Sequence, residues 1–111
     1  MKLVFVIGKY NAPTVWEREQ NIRLAESVGL MIARMGAMPI IPHAMTRFFF
    51  GSLSESFWIE GLQTILLRAD AAFCLDNWVN SPGSKEEHTL AVTNGIPVFY
   101  TLERIKEWID P

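Results

Sequence analysis

The sequence has little cysteine, few histidines and no block of basic residues. Cys74, the only cysteine, lies in an apolar run, so it can form no disulfide within the chain. A buried thiol of this kind is typical of a reducing compartment, and we expect a cytoplasmic protein. Neither His43 nor His88 has metal-ligand spacing with Cys74, so no metal site is predicted. The net charge of −2, without a basic patch, argues against binding to a nucleic-acid polymer.

Long hydrophobic runs are also missing. The N-terminal run Leu3–Ile7 is stopped by Gly8 and Lys9, too early for a signal peptide or a membrane span. We therefore expect no association with a membrane. What remains is ordinary globular composition, 50% hydrophobic and 20% charged, in a chain of 111 residues. This length predicts a single domain, 1–111, with one core.

Short apolar runs alternate with helical patterns along the whole chain. The predicted strands, all short and rich in apolar residues, are Leu3–Ile7, Met38–Ile41, Ala71–Leu75 and Ile96–Tyr100. The predicted helices, which carry apolar residues at spacings of three and four, are Val15–Met35, Phe57–Ala69, Ser84–Asn94 and Leu102–Ile109. This alternation predicts an α/β fold: a three-layer, doubly wound parallel sheet, flavodoxin-like or Rossmann-like, with strand order about 2-1-3-4.

In such a sheet a ligand binds at the carboxyl ends of the strands, where the strand order reverses. The two predicted loops that meet there are 8–11, after the first strand, and 77–84, after the third. Gly8-Lys9-Tyr10 lacks the further glycines of a dinucleotide fingerprint, so no dinucleotide cofactor, or any other cofactor, is predicted.

Several residues near these loops suit a small ligand. Gly8 allows close approach to the backbone, and Tyr10 and Trp78 offer faces on which a base or sugar stacks. Asp76 either bonds a sugar hydroxyl or turns the loop. The remaining candidates lead into a helix N-terminus, whose N–H groups favour an anion, and are Ser81, Gly83 and Ser84. His43, after the second strand, is interpreted as bonded to backbone rather than as a residue at the rim of the site.

Glu87 has two interpretations. In the first, Ser84 caps a helix and Glu87, three residues later, reaches back to it in a capping box, which is a common helix start. In the second, Glu87 is a nucleophilic carboxylate in the first helical turn, where the helix dipole keeps it ionised. The pattern alone favours the capping box.

An ordered set of segments also matches a known family. The matching segments are Gly8-Lys9-Tyr10, Asn21-Ile22 with Ala25, Gly36, Pro39-Ile40-Ile41-Pro42-His43, Trp58-Ile59-Glu60-Gly61, Ala69-Asp70, Trp78, Ser81-Pro82-Gly83-Ser84, Glu87, Ala91 and Gly95-Ile96-Pro97-Val98. With these spacings the chain resembles the nucleoside 2-deoxyribosyltransferase-like superfamily, especially its short branch from bacteria and phages.

The resemblance implies a nucleoside or nucleotide N-glycosidase or deoxyribosyltransferase. Glu87, six residues after Ser81, would attack the anomeric carbon and form a glycosyl-enzyme, with retention overall. The Ser81 loop would hold the 5′ end of the sugar, and Tyr10 and Trp78 would line the pocket. Two positions depart from the family pattern: Leu62 stands where active members have an aspartate, and Lys9 where proline is frequent.

Two alternatives stay open beside catalysis. Leu62 favours a binding module of the same fold that holds a nucleotide or nucleotide-sugar without turnover. Phe48-Phe49-Phe50 is too apolar for a free loop, so it either packs under the next helix or contacts another subunit. It therefore suggests a protein-interaction module, and we expect a homo-oligomer.

Overall fold

A computed structural model describes residues 1–49 and 51–111; Phe50, part of the predicted aromatic contact segment, lies outside the described residues. The strands are β1 (Leu3–Ile7), β2 (Met38–Ile40), β3 (Ala71–Cys74) and β4 (Val98–Phe99). The α-helices are α1 (Val15–Arg34), α2 (Pro42–Met45), α3 (Glu55–Arg68), α4 (Pro82–Thr93) and α5 (Leu102–Ile109). A 3₁₀ helix covers Asp76–Asn80, between β3 and α4.

The strands form a parallel sheet in the order β2-β1-β3-β4. In the central pair, Val4 lies opposite Ala71 and Ile7 opposite Cys74. The predicted α/β class and strand order are therefore confirmed. The strand β2 lies on one side of β1, and β3 lies on the other side. The order of strands along the sheet therefore reverses between β1 and β3.

The apolar residues of β1 alternate between two cores. Val4 and Val6 pack with Ala25 and Ile32 of α1 and Ile105 of α5, on one face of the sheet. A second group on the other face joins β1 and β3 to α3 and α4, and consists of Phe5, Ile7, Leu66, Ala72, Cys74 and Ala91. A sheet covered on both faces explains why its strands read as continuous apolar runs.

Short polar side chains begin the helices where the chain turns back on the sheet. Thr14 caps α1 by accepting from Glu17 N–H at 3.1 Å, and Ser54 caps α3 by accepting from Phe57 N–H at 3.3 Å. Gly36 ends the first helical segment with φ +101°, a left-handed conformation that favours glycine.

The start of the third predicted helix is wrong. Ser81, not Ser84, is the N-cap of α4, and its hydroxyl accepts from Ser84 N–H at 3.2 Å. Pro82 then takes the first helical position, where proline needs no N–H partner. Ser84 therefore lies within the first turn, Glu87 falls in the second, and the predicted capping box between them does not form. The preceding segment, predicted as a loop, contains the 3₁₀ helix because Trp78 and Ser81 bond back to Leu75 and Trp78 carbonyls.

Neither a membrane span nor a metal cluster is found among the described residues. No helix there has the length and hydropathy needed to cross a membrane. No group of three or more His, Cys, Asp or Glu side chains in the same ranges is arranged to hold a metal ion.

We expect Gly8→Ala to lower the free energy of unfolding by about 1–3 kcal/mol. A Cβ at Gly8 would lie 2.9 Å from Cγ and 3.1 Å from Cβ of Leu75, which is itself buried. Gly61→Ala is the matched control, because a Cβ there meets nothing within 4 Å and glycine weakens a helix interior. Urea denaturation should show the first variant destabilised and the second stabilised. Equal midpoints for both would contradict this account of Gly8.

Candidate functional site

A cleft of about 800 Å³ opens at the carboxyl edge of the sheet, and we call it the main cleft. Five parts of the chain surround it: the turn after β1, helix α2, the segment between α2 and α3, one side of α3, and the chain around the start of α4. This is the position that the switch in strand order predicts for a ligand. The residues that carry chemistry along its walls are Lys9, Tyr10, His43, Glu55, Trp58, Ser81, Ser84, Glu86 and Glu87.

Two hydrogen bonds join the turns that follow β1 and β3. Leu75 N–H donates to the carbonyl of Ile7 at 2.8 Å, continuing the strand pairing past the end of the sheet. Lys9 N–H then donates to Oδ1 of Asn77 at 2.9 Å. These bonds fix the turn after β1 against the segment that leads into α4. The predicted meeting of the two loops is therefore found.

The start of α4 supplies a buried hydroxyl and a carboxyl. Ser84 is 2% exposed, and its Oγ has no hydrogen-bond partner among the described residues. An unpaired buried hydroxyl costs free energy, so a ligand that bonds Ser84 Oγ gains affinity there. Pro82 has no N–H and Ser84 N–H is held by Ser81, so this helix start offers an anion fewer free N–H groups than the sequence predicts.

Glu87 lies in the wall of the main cleft, one turn beyond the helix start. Burial, with a smaller contribution from the negative charge of Glu86, raises the pKa of Glu87 from 4.5 to about 7. This shift opposes the expected effect of the helix dipole, which favours the ionised carboxyl. Desolvation outweighs the dipole because the stabilising field is confined to the first turn of a helix. Near neutral pH the site holds both the acid and the carboxylate.

His43, at the start of α2, forms the neighbouring wall. Its Nε2 lies 2.9 Å from the carbonyl oxygen of Gly8, so Nε2 carries the proton and donates it. This agrees with the backbone-bonded interpretation. Nδ1 is then an acceptor, and it is buried without a partner among the described residues. Burial lowers the pKa of His43, which keeps the ring neutral.

Trp58 of α3 lines the main cleft and has a buried donor. Its ring stacks on Phe49, with centroids 5.5 Å apart and planes 15° apart, and Phe57 meets it edge-on. Trp58 Nε1 has no acceptor among the described residues. Leu62, one turn further along α3, also lines the cleft and packs on the second core. The α3 wall therefore combines aromatic faces with an apolar floor.

The structure brings together most of the predicted site residues. Those that line the main cleft are Gly8, Tyr10, Ser81, Gly83, Ser84 and Glu87. Asp76 and Trp78 are not among its lining residues. Asp76 is exposed at the start of the 3₁₀ helix. Trp78 stacks on His88, with centroids 4.2 Å apart, and packs against the second core, so its ring faces are already used.

Sequence reasoning missed two contributions to the cleft. Trp58 entered only as part of a family match, because its position on α3 depends on how that helix is rotated against the sheet. Phe49 was expected to pack under the following helix or to contact another subunit. Its stack on Trp58 places it beside α3, within the cleft wall.

Comparison of the sequence with protein-family models, and with curated proteins, finds no match.

We expect Glu87→Gln to change how stability depends on pH. Because the folded-state pKa is raised, Glu87 contributes stability below its ordinary pKa of 4.5, and this is lost as pH rises through about 7. Between about pH 5 and pH 8, wild-type stability should fall by up to about 3 kcal/mol relative to Glu87→Gln. Urea titrations at a series of pH values measure this difference.

The control for that comparison is Glu60→Gln, an exposed residue of α3 that does not line the main cleft. Its pH profile should run parallel to that of the wild type. A parallel profile for Glu87→Gln as well would show that the carboxyl is not buried as described.

Proposed function

We propose that the main cleft binds a nucleoside or nucleotide and that Glu87 attacks its N-glycosidic bond. The protein would then act as an N-glycosidase or a deoxyribosyltransferase. One observation carries the proposal: a largely buried carboxyl lines a cleft of about 800 Å³ at the switch point of the sheet, beside an unpaired hydroxyl. Sugars offer such hydroxyl-bonding groups, and the aromatic walls suit a base.

The chemistry would proceed in two steps. The Glu87 carboxylate attacks the anomeric carbon and a glycosyl ester forms on the enzyme. The bond to the base nitrogen breaks with its electron pair staying on the nitrogen, and an uncharged base takes up a proton as it leaves. Water or a second base then displaces Glu87, and the sugar leaves with its original configuration. Ser84 Oγ and the backbone near Ser81 and Gly83 would hold the sugar.

Loss of the Glu87 carboxylate should abolish base release. Glu87→Gln keeps the size of the side chain but cannot form the ester, so we expect a loss of about 10⁴-fold or more in kcat. Glu60→Gln should keep wild-type activity. The assay is chromatographic detection of free base from nucleosides, deoxynucleosides and their 5′-monophosphates.

For the wild type, the rate of base release should rise with pH through about 7, as Glu87 ionises. Undiminished release by Glu87→Gln would remove Glu87 from the mechanism.

A second candidate function is binding without turnover. Leu62 supports it, because an apolar side chain in the cleft wall can neither position a sugar hydroxyl nor donate a proton. In that case a nucleotide or nucleotide-sugar would raise the melting temperature while no base was released. The same set of compounds, used in a thermal-shift screen, separates the two functions.

We also propose that the chain self-associates through the segment after α2. Phe48 is 85% exposed and Leu53 is 54% exposed, while Arg47 lies over the Phe48 ring at 4.8 Å. Apolar side chains exposed together in this way are typical of protein contacts. Light scattering after size exclusion should show a dimer or larger species at micromolar concentration. Phe48→Ser should shift it towards monomer, and a monomeric wild type would contradict the proposal.

We also propose that the protein is cytoplasmic. Cys74 is buried, and burial raises the pKa of its thiol to about 12, so it resists oxidation and stays reduced. A small protein without disulfides suits a reducing compartment.

A further inference from the structure

We propose that the preferred substrates of the main cleft are N-glycosides whose base already carries a positive charge, such as N-ribosylpyridinium or N7-alkylpurine nucleosides. The inference rests on the proposed function, because it names the substrate class of the same site. It depends on three features of the cleft wall: the proton donors present, the balance of charge, and the aromatic faces.

The departing base determines whether a proton donor is needed. When the bond between the anomeric carbon and the base nitrogen breaks, the electron pair stays on the nitrogen. A neutral base would leave as an anion, so its departure needs a general acid. A positively charged base accepts the same pair and leaves as a neutral molecule without a proton.

The cleft wall is poorly supplied with acids for that role. His43 donates its Nε2 proton to Gly8, and its lowered pKa leaves Nδ1 unprotonated. Glu55 and Glu86 are exposed to solvent, so neither shares the buried environment of Glu87. Lys9 and Tyr10 add an ammonium and a phenol but no further carboxyl. Among the described lining residues, Glu87 alone combines an acidic group with a raised pKa, and it is the nucleophile.

The charge of the wall favours a cation. Three carboxyls, on Glu55, Glu86 and Glu87, face the cleft against one ammonium, on Lys9. A partly enclosed cleft lined by one sign of charge concentrates ligands of the opposite sign. Three buried polar atoms in the same walls, His43 Nδ1, Trp58 Nε1 and Ser84 Oγ, lack partners among the described residues, which indicates a ligand that bonds them.

The aromatic faces point to the same ligand. Tyr10, Phe49 and Trp58 all line the main cleft, where Phe49 and Trp58 cover one face of each other and the guanidinium of Arg18 already lies over Tyr10 at 5.8 Å. A delocalised cation is attracted to the face of an aromatic ring, and tryptophan binds it best. A pyridinium or alkylated purine therefore gains from both the rings and the carboxylates.

The reaction balances without a co-reactant other than water. A Glu87 carboxylate oxygen bonds to the anomeric carbon as the C–N bond breaks, and the released pair neutralises the base. Water then attacks the anomeric carbon, Glu87 leaves as a carboxylate, and the proton of the water passes to solvent. The products are the free sugar, a neutral base and one proton.

The test compares a charged and an uncharged nucleoside of the same skeleton on the full chain. We would measure base release from 7-methylguanosine and guanosine at about pH 7, where about half of Glu87 is ionised and 7-methylguanosine still carries net positive charge, and from nicotinamide riboside as a second cation. After division by the uncatalysed rates, we expect the two cations to exceed guanosine by about 100-fold or more, the usual contribution of a proton donor. Glu87→Gln should release none of the bases.

Two variants test the role of charge. Glu55→Gln and Glu86→Gln should each raise KM for nicotinamide riboside about two- to fivefold, the effect of one exposed charge, and leave the inhibition constant of guanosine unchanged. Equal acceleration for guanosine and 7-methylguanosine would overturn this inference and leave the proposed function standing. An unchanged KM in both variants would also overturn it. No release from any nucleoside by the wild type would overturn both.

Discussion

The parallel pairing of β1 with β3 is the constraint on which the site depends. Its register sets Ile7 beside Cys74, so both strands end at the same level of the sheet. The chain then continues the pairing through Leu75 N–H and through the side chain of Asn77. Gly8 permits this close approach because a side chain there would collide with Leu75. The hydrogen bond between His43 and Gly8 holds α2 to the first turn, and α4 follows the second turn along the chain, so two walls of the main cleft are fixed by these turns.

Burial of Glu87 follows from that arrangement. Helix α4 must lie on the sheet to cover Cys74 and Ala72, and its inward face carries Ala91, Ser84 and Glu87 at helical spacing. Glu87 therefore loses water without gaining a cation, which is why its pKa rises. The field of the helix dipole is strongest in the first turn, which holds Ser81 and Ser84 and ends before Glu87.

The sequence predicted the fold well because the strands, buried on both faces, are apolar throughout and the long helices carry apolar residues at spacings of three and four. It predicted the site less well where two signals compete. Ser81 and Ser84 both suit an N-cap, and Pro82 decides between them because proline is favoured at the first helical position. Trp78 looked like a stacking platform, but the 3₁₀ helix turns it onto His88. Trp58 could not be placed at all, since its orientation depends on the tertiary packing of α3.

The energetic cost of Glu87 bears on the choice between catalysis and binding. A protein that only holds a nucleotide gains nothing from a carboxyl whose ionisation opposes folding near neutral pH. This loss of folding free energy is explained if Glu87 is a nucleophile and the bound substrate favours its negatively charged form. A positively charged base in the cleft would do so, because a nearby cation favours the carboxylate and lowers its pKa. By linkage, the same interaction makes the ionised enzyme bind that base more tightly. Binding of the charged base and ionisation of Glu87 would then be coupled through one electrostatic interaction, which a neutral nucleoside could not provide.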